Sequence, residues 1–208
     1  MRLLLASNSP RRRQLLSQLV STEGLVNDVK YISIDVDEHI DTPLPAAEVA
    51  EYLARRKASA FGGKLAADEV LVTADTVVVL SGHVMGKPAD RAEAVAMLKE
   101  LSGKSHTVYT GVCLRSSYDS GYPLCEDNIV SFTEATNVYF STLDDNDISY
   151  YVDTYRPYDK AGAYGIQEWI GMIGIDRIDG CYYNVMGLPV HRIYKTLKIM
   201  VKGYWLKG

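Results

Sequence analysis

The chain has 208 residues, of which 47% are hydrophobic and 23% are charged, and this composition is typical of one globular domain rather than of a disordered chain. Its net charge of −4 at pH 7 lacks the basic excess of a general nucleic-acid-binding protein, so we expect no stable nucleic-acid partner. The apolar N-terminal stretch is too short for a secretory signal and runs into three arginines, and no segment approaches the ~20 apolar residues of a membrane span, so we predict a cytoplasmic protein that does not bind membranes.

Strands and helices are predicted to alternate from the start of the chain. Residues 3–6 have the pattern of a short buried strand. Ser9 and Pro10 then provide an N-cap and a first helical residue for a helix that extends to about Val20. The spacing of apolar residues predicts a second helix over 46–61.

The same alternation continues to the end of the chain. The β-branched run at 70–80 predicts a central strand. Asp90 and Glu93 form a capping-box pattern at the start of a helix that Gly103 ends. The remaining predicted elements are strands at 106–114 and 129–140 and helices around 148–155 and over 190–201. This order predicts an α/β architecture with a substantial sheet in a single domain, residues 1–208, large enough for two lobes around a cleft.

An anion-binding corner is predicted where the first strand turns into the first helix. The free N–H groups and positive dipole end of a helix favour anions, and Arg11, Arg12 and Arg13 stand in the first turn of this helix. The apolar stripe of the helix is centred over Arg12, which should therefore project toward the interior edge. A triphosphate would suit this corner, and the alternative is that these arginines are solvated surface groups.

Two charged residues fall at positions where the pattern expects apolar ones. Lys57 lies in the middle of the buried stripe of the second helix, where a lysine either extends past the core edge to solvent or binds phosphate in a cleft. Asp75 interrupts an apolar strand, and a buried carboxylate is costly unless it is paired, hydrogen-bonded or bound to a metal. It suits a general base or a Mg²⁺ ligand, and the alternative is a solvent-reaching residue at a strand bend.

Several hydrolase classes are excluded by what the sequence lacks. The histidines show no metal-ligand spacing, the serines no GxSxG pattern, and the three cysteines are odd in number and widely spaced. The SGKS sequence at 102–105 lacks the first glycine of a P-loop and follows a helix instead of starting one. Arginines, lysines and carboxylates without a covalent nucleophile favour phosphoryl or nucleotidyl chemistry with water as the attacking group.

Six ordered motifs resemble the Maf family from one end of the chain to the other. They are LLASNSPRRRQLL, ADTVV, GKPAD, MLKELSGKSHTVYTGV, DKAGAYGIQ and NVMGLP. The resemblance implies a Maf-like α/β fold related to inosine triphosphate pyrophosphatases, with a mixed twisted sheet flanked by helices and two lobes around a cleft. It also implies a homodimer and hydrolysis of nucleoside triphosphates between the α and β phosphates, assisted by Mg²⁺ or Mn²⁺.

The resemblance assigns roles to individual residues. The catalytic acidic residue corresponds to Asp75 and its acidic partner to Glu38, and these two carboxylates would hold the metal. Neighbouring Asp37 is an alternative to Glu38 on the metal side. Lys57 belongs with the catalytic group. The positions implied to contact phosphates are Ser7, Arg12, Lys57, Lys87 and Lys160. The positions implied to select the base are Arg11, Thr76 and Gln167.

The turn at 161–167 bears on the choice of substrate. Its sequence, AGAYGIQ, resembles the subgroup that acts on dTTP and UTP and differs from the 7-methyl-GTP subgroup, so we predict a dTTP/UTP pyrophosphatase. The family usually continues this turn with glycine, whereas this chain has Glu168 and Trp169, which could reshape the base pocket. We expect that replacing Glu168 with glycine restores the commoner turn with little effect on kcat.

Two other functions are compatible with these residues. One is a nucleotide- or nucleic-acid-binding regulator of cell division that keeps the pocket without turnover, although a retained Asp75 argues against it. The other is a Maf enzyme that acts on modified nucleotides. Incubation of the pure protein with nucleotides and Mg²⁺ separates an enzyme, which forms pyrophosphate, from a sensor, which only binds.

Overall fold

The computed structural model describes residues 1–20, 24–40, 43–117 and 128–202. The strands of this part of the chain are β1 (Arg2–Ala6), β2 (Asp28–Ile32), β3 (Glu69–Leu80), β4 (His83–Met85), β5 (Ser105–Ser116), β6 (Ile129–Phe140) and β7 (Ile175–Asp179). Its helices are α1 (Pro10–Ser17), α2 (Ala46–Ser59), α3 (Arg91–Leu101), α4 (Asp145–Tyr155), α5 (Trp169–Gly174), α6 (Tyr182–Val185) and α7 (Val190–Lys202), and a 3-10 turn covers Ala161–Ala163.

The strands form one mixed sheet, as the resemblance implies. Their order is β2-β1-β3-β5-β6-β7, and β4 pairs with β3 at the side of this path. The pairs of β1 with β2 and with β3 are parallel, whereas β4 with β3 and β7 with β6 are antiparallel. Strand β1 lies between two parallel neighbours, and its Leu3, Leu4 and Leu5 are buried, as expected for a strand covered on both faces.

One compact unit comprises the described residues within Met1–Asp75, Thr110–Glu134 and Gly187–Gly208. Its core joins one face of α2 to the central strands through Leu4, Ala6, Ala54, Ala58, Leu65, Leu71 and Cys113. Gly111 permits the close packing of α2, because a Cβ atom there would lie 2.2 Å from the backbone of Ala50. Burial raises the pKa of the Cys113 thiol to about 11, so this cysteine is a protonated core residue rather than a nucleophile.

The second compact unit comprises Thr76–Tyr109 and Ala135–Met186. Helices α3 and α4 supply much of its apolar core, whose large buried side chains include Leu98, Leu101, Phe140, Ile148, Tyr151 and Ile170. The boundary between the two units falls between Asp75 and Thr76 of β3. That the chain is a single domain of two lobes around a cleft stays a prediction.

The long predicted elements and the short first strand are confirmed, whereas five other short elements were missed. The first helix ends at Ser17 instead of near Val20, because the chain closes there with i→i+3 hydrogen bonds such as that from Leu19 N–H to the Leu16 carbonyl, 3.0 Å. The missed elements are β2, β4, β7, α5 and α6, which are three to six residues long and too short for a periodic pattern. Within the described residues, no helix has the length and apolarity to cross a membrane.

Candidate functional site

Three of the charged side chains singled out in the sequence converge within the first unit. The Nζ atom of Lys57 lies 2.5 Å from Oδ1 of Asp75 and 2.7 Å from Oε1 of Glu38. The side chains of Lys57 and Asp75 are only 15% and 14% exposed, whereas that of Glu38 is 49% exposed. A single ammonium group therefore bridges two carboxylates, one of them largely buried.

Helix α2 and strand β3 hold this group in place. Lys57 lies among the buried residues of α2, next to Ala58 and one turn after Leu53 and Ala54. The hydroxyl of buried Thr73 in β3 donates a hydrogen bond to the carbonyl of Ala54 at 2.6 Å. This bond fixes α2 against the strand two residues before Asp75, so Lys57 is directed to the carboxylate by packing and does not extend to solvent.

The two candidate carboxylates of the acidic loop before α2 have different contacts. Glu38 contacts Lys57, whereas Asp37 accepts a hydrogen bond from the backbone N–H of His39 at 2.9 Å and lies 3.9 Å from Arg56. The guanidinium of Arg56 also donates to the carbonyl of His39. Asp37 therefore helps to shape the loop and is 74% exposed, while Glu38 is the member of the pair that contacts the ammonium of Lys57, which also pairs with Asp75.

Arg12 points inward, as the helical pattern predicts. Its Nε donates to the carbonyl of Gly187 at 2.8 Å and its Nη1 to the carbonyl of Ala74 at 2.9 Å. Burial lowers the pKa of the Arg12 guanidinium, while the negative charges of Asp75 and Glu38 act on that pKa in the opposite direction. Arg12 is thus anchored to the backbone within electrostatic range of both carboxylates.

Gly187 is a residue that the sequence analysis missed. Its φ of +106° is accessible to glycine and strained for other residues, and its carbonyl is one of the two anchors of Arg12. The signal was present in the NVMGLP motif, but a glycine in sequence does not reveal which distant side chain its carbonyl accepts from.

The turn between β1 and α1 has the predicted caps. The Ser9 side chain accepts from the Arg12 backbone N–H at 3.4 Å, and the hydroxyl of buried Ser7 accepts from the Ser9 N–H at 3.2 Å. Arg13 donates from Nε to the Ser7 carbonyl at 3.0 Å, so this arginine braces the turn. Arg11 is half-buried. The structure therefore places Ser7 and Arg12 at the same turn between β1 and α1. Ser7 accepts a hydrogen bond within the turn, whereas the Arg12 side chain donates to distant backbone carbonyls.

The second unit contains the other predicted site residues. Lys160 is buried, and its Nζ lies 2.7 Å from Oδ1 of Asp159 and 3.1 Å from Oε1 of Glu168. The turn that follows Lys160 is joined to the segment of Lys87 by a 3.0 Å hydrogen bond from Gly162 N–H to the Gly86 carbonyl. Lys87 is itself exposed.

Two further residues of this unit are among those predicted to select the base. Gln167 is exposed and follows the buried residue Ile166 at the end of the turn, and Thr76 is half-buried in β3. Gly162 has a φ of +69°, and a Cβ atom there would lie 3.1 Å from Cγ1 of Val78. The turn therefore requires glycine at this position both for its backbone conformation and for its packing.

The carboxylate pair fits a hard divalent cation. Glu38 and Asp75 already share one cation, Lys57 Nζ, and Mg²⁺ is commonly held by one or two carboxylates together with phosphate oxygens. No cluster of three or more histidine, cysteine, aspartate or glutamate ligands occurs in the described part of the chain. These two carboxylates would therefore be the protein's contribution, with other oxygens from substrate and water.

Comparison with known proteins relates the chain to one family over nearly its full length. A family model described as Maf-like protein matches residues 2–200. A relative from Bacteroides thetaiotaomicron, named dTTP/UTP pyrophosphatase, is 48% identical over 196 residues and covers 94% of each chain. Relatives of the same name from Parabacteroides distasonis and Porphyromonas gingivalis are 49% and 44% identical, over 95% of this chain and 95% and 93% of their own.

Two solved structures resemble the chain more distantly. A nucleoside-triphosphatase from Mycobacterium abscessus, described as a dITP/XTP pyrophosphatase, has a TM-score of 0.44 and 16% identity and covers 99% of this chain and 98% of its own. A HAM1 protein from Coxiella burnetii has a TM-score of 0.48 and 17% identity, over 95% and 98% of the two chains. Both are far less similar to the chain than the three relatives.

Proposed function

Because this chain belongs to the Maf-like protein family, we propose that it hydrolyses dTTP and UTP to the nucleoside monophosphate and pyrophosphate. The names of its relatives support both the reaction and the substrates. The observation that carries the proposal is the convergence of Glu38 and Asp75 on one cation, the Nζ of Lys57, within electrostatic range of Arg12. Carboxylates that hold a cation next to an arginine suit hydrolysis of a phosphoric anhydride by water.

Asp75 is the group that prepares the attacking water in this proposal. Mg²⁺ or Mn²⁺ held by Asp75 and Glu38 would supply Lewis acidity for the phosphate oxygens and for water. The carboxylate of Asp75 accepts a hydrogen bond from the water and takes up its proton as the oxygen bonds to the α phosphorus. The bond from the α phosphorus to the bridging oxygen breaks, and pyrophosphate leaves with the electron pair.

The cationic residues stabilise charge that grows on the leaving group. Arg12 is anchored by two backbone carbonyls, so its guanidinium is already oriented before substrate arrives, which reduces the reorganisation that catalysis needs. Lys57 has a flexible stem and would contact phosphate together with Lys87 and Lys160. Ser7 would donate its hydroxyl to a phosphate oxygen.

The residues proposed to select the base differ from those proposed to act on the phosphates. Gln167 is exposed, and its amide offers both a donor and an acceptor, which matches the edge of a thymine or uracil base. Thr76 and Arg11 complete this group. The homodimer and the cytoplasmic location expected from the sequence belong to the same proposal, and analytical ultracentrifugation would test the oligomeric state.

Product analysis tests the reaction directly. Pure protein is incubated with dTTP, UTP, GTP and ATP in the presence of Mg²⁺ or Mn²⁺, and the nucleotides are separated by chromatography. We expect dTMP and UMP as first products, and orthophosphate only when an inorganic pyrophosphatase is added. Formation of dTDP or UDP would contradict cleavage at the α–β bond, and binding without turnover would instead favour a regulatory nucleotide sensor.

A further inference from the structure

We propose that Glu168 is a positioning residue for nucleotide selectivity. Its carboxylate contacts both Lys160, which precedes the 161–167 turn, and Tyr151, whose hydroxyl bonds to the turn. These contacts fix the turn and with it Gln167. This inference rests on the proposed function and adds to it a residue outside the assigned site. The residue departs from the glycine that we expected for the family, and the structure shows that it is more than an added surface charge.

Both oxygens of the Glu168 carboxylate are engaged. Oε1 lies 3.1 Å from Nζ of Lys160, and Oε2 accepts a hydrogen bond from the hydroxyl of Tyr151. That hydroxyl in turn accepts from the backbone N–H of Gly165 at 3.0 Å. One carboxylate therefore links the residue before the turn to the middle of the turn, through a tyrosine that is fully buried.

The backbone of Glu168 is fixed as well. Its N–H donates to the Gly165 carbonyl at 3.0 Å, and its own carbonyl accepts from the Gly171 N–H at 2.9 Å. Glu168 is thus the N-cap residue of α5 and joins the turn directly to a helix. Because Gln167 is the preceding residue, its backbone direction is set by the same bonds.

Close packing requires glycine at two positions, one against the Glu168 carboxylate and one where α5 meets the turn. A Cβ atom on Gly165 would lie 2.8 Å from Cδ of Glu168, and one on Gly171 would lie 1.9 Å from the carbonyl oxygen of Ile166. The glutamate side chain therefore fills the space above Gly165 and the start of α5 lies directly against the turn. If residue 168 were glycine, this space would lack the carboxylate and the turn would lose its link to Tyr151.

The Glu168 carboxylate belongs to a largely enclosed group of charged and polar side chains. Lys160 is 8% exposed and faces two carboxylates, of which Glu168 is 21% exposed and Asp159 is 58% exposed. Burial and the hydrogen bond to Glu168 raise the pKa of the Tyr151 hydroxyl above its ordinary value, so this hydroxyl remains a donor at neutral pH. Glu168 is the more enclosed of the two partners and the one that also holds the turn.

Three variants separate positioning from charge. Glu168→Gly removes the link, Tyr151→Phe removes only its hydrogen-bonded half, and Glu168→Gln keeps an acceptor for Tyr151 while losing the charge. The exposed Glu100 of α3 provides the matched control, Glu100→Gln. Selectivity is measured as the ratio of dissociation constants for the α,β-imido analogues of UTP and GTP by calorimetry, and as the ratio of kcat/KM for UTP and GTP.

We expect Glu168→Gly to reduce both ratios by about tenfold, and Tyr151→Phe and Glu168→Gln, each of which weakens one half of the link, to reduce them by a smaller factor. The Glu100→Gln control should stay near wild type. Ratios unchanged in a folded Glu168→Gly protein would overturn the inference. If Glu168→Gly does not fold, Tyr151→Phe is the deciding variant, and unchanged selectivity ratios in Tyr151→Phe would also overturn the inference. Wild-type protein that selects UTP in binding but forms no pyrophosphate would contradict the proposed function alone.

Discussion

The ammonium of Lys57 and the carboxylate of Asp75 form a largely buried ion pair, 2.5 Å between Nζ and Oδ1, that joins helix α2 to the central strand β3. Glu38 approaches the same ammonium from a loop, at 2.7 Å. The lysine keeps two carboxylates close together that would otherwise repel each other. We therefore expect the pair to affect stability and, in the proposed function, metal binding and turnover, each of which can be measured separately.

Asp75→Asn tests the proposed role of Asp75 as the catalytic carboxylate. The substitution is nearly isosteric but removes the charge that binds cations and accepts a proton, so we expect kcat for dTTP to fall by at least ~100-fold. Circular dichroism should show an intact fold, and binding of the α,β-imido nucleotide should survive better than turnover. Near-normal hydrolysis by the purified variant would remove Asp75 from this role.

A comparison of Glu38→Gln with Asp37→Asn tests which acidic side chain shares the cation with Asp75. Glu38 reaches Lys57, whereas Asp37 is 74% exposed and helps to shape its own loop. We expect Glu38→Gln to weaken Mn²⁺ binding by about tenfold, a change of ~1.4 kcal/mol, and Asp37→Asn to leave it nearly unchanged. Mn²⁺ affinity is measured by electron paramagnetic resonance without nucleotide. The reverse order would assign the metal side to Asp37.

Lys57→Met should have opposite effects on stability and on metal binding. Loss of the ammonium leaves two carboxylates without their cation, so we expect the free energy of unfolding in urea to fall by about 1 to 3 kcal/mol, less than for a fully buried pair because Glu38 is half exposed. Mn²⁺ no longer competes with an ammonium, so its affinity should rise and its addition should restore stability. Weaker Mn²⁺ binding in this variant would show that Lys57 does not compete with the metal.

Gln167→Ala should change selectivity more than chemistry. We expect kcat/KM for dTTP and UTP to fall by about 1 to 3 kcal/mol, the range for an unmatched polar partner, with a smaller loss for purine triphosphates. Because Gln167 is exposed, the melting temperature should not change. Equal losses for pyrimidine and purine substrates would indicate that the turn serves catalysis instead of base choice.

His106 should make the stability of the protein depend on pH. Burial lowers the pKa of this histidine from 6.5 to about 4, and its Nε2 lies 2.7 Å from the Tyr164 hydroxyl. As pH falls, His106 of the unfolded chain therefore binds a proton before His106 of the folded protein does. The stability that neutral His106 contributes is fully present above pH 6.5 and decreases by about 3 kcal/mol between pH 6.5 and 4.

Urea unfolding between pH 4 and pH 7 measures this dependence. His106→Gln should give a shallower slope than wild type, whereas His83→Gln, which changes an exposed side chain, should keep the wild-type slope. An unchanged slope in the first variant would mean that His106 is protonated in the folded protein at the same pH as in the unfolded chain.

The sequence reveals most about residues that break a local pattern. The helical period placed Arg12 toward the interior and Lys57 on a buried face, and the apolar run marked Asp75, because these features depend only on residues within a few turns. The same reasoning found the long strands and the capped helices. It missed the short elements β2 and β7, which have no repeated pattern and are defined by their pairing with β1 and β6.

By itself, the sequence determined the family, the alternating strands and helices and the presence of out-of-pattern charges. Only the tertiary structure decided which of these groups meet. Glu38 rather than Asp37 reaches Lys57, the carbonyl of Gly187 anchors Arg12, and Glu168 holds Tyr151 and Lys160. The physical reason is that a residue's direction follows from its own helix or strand, whereas contacts between distant residues depend on how those elements pack, which no local pattern encodes.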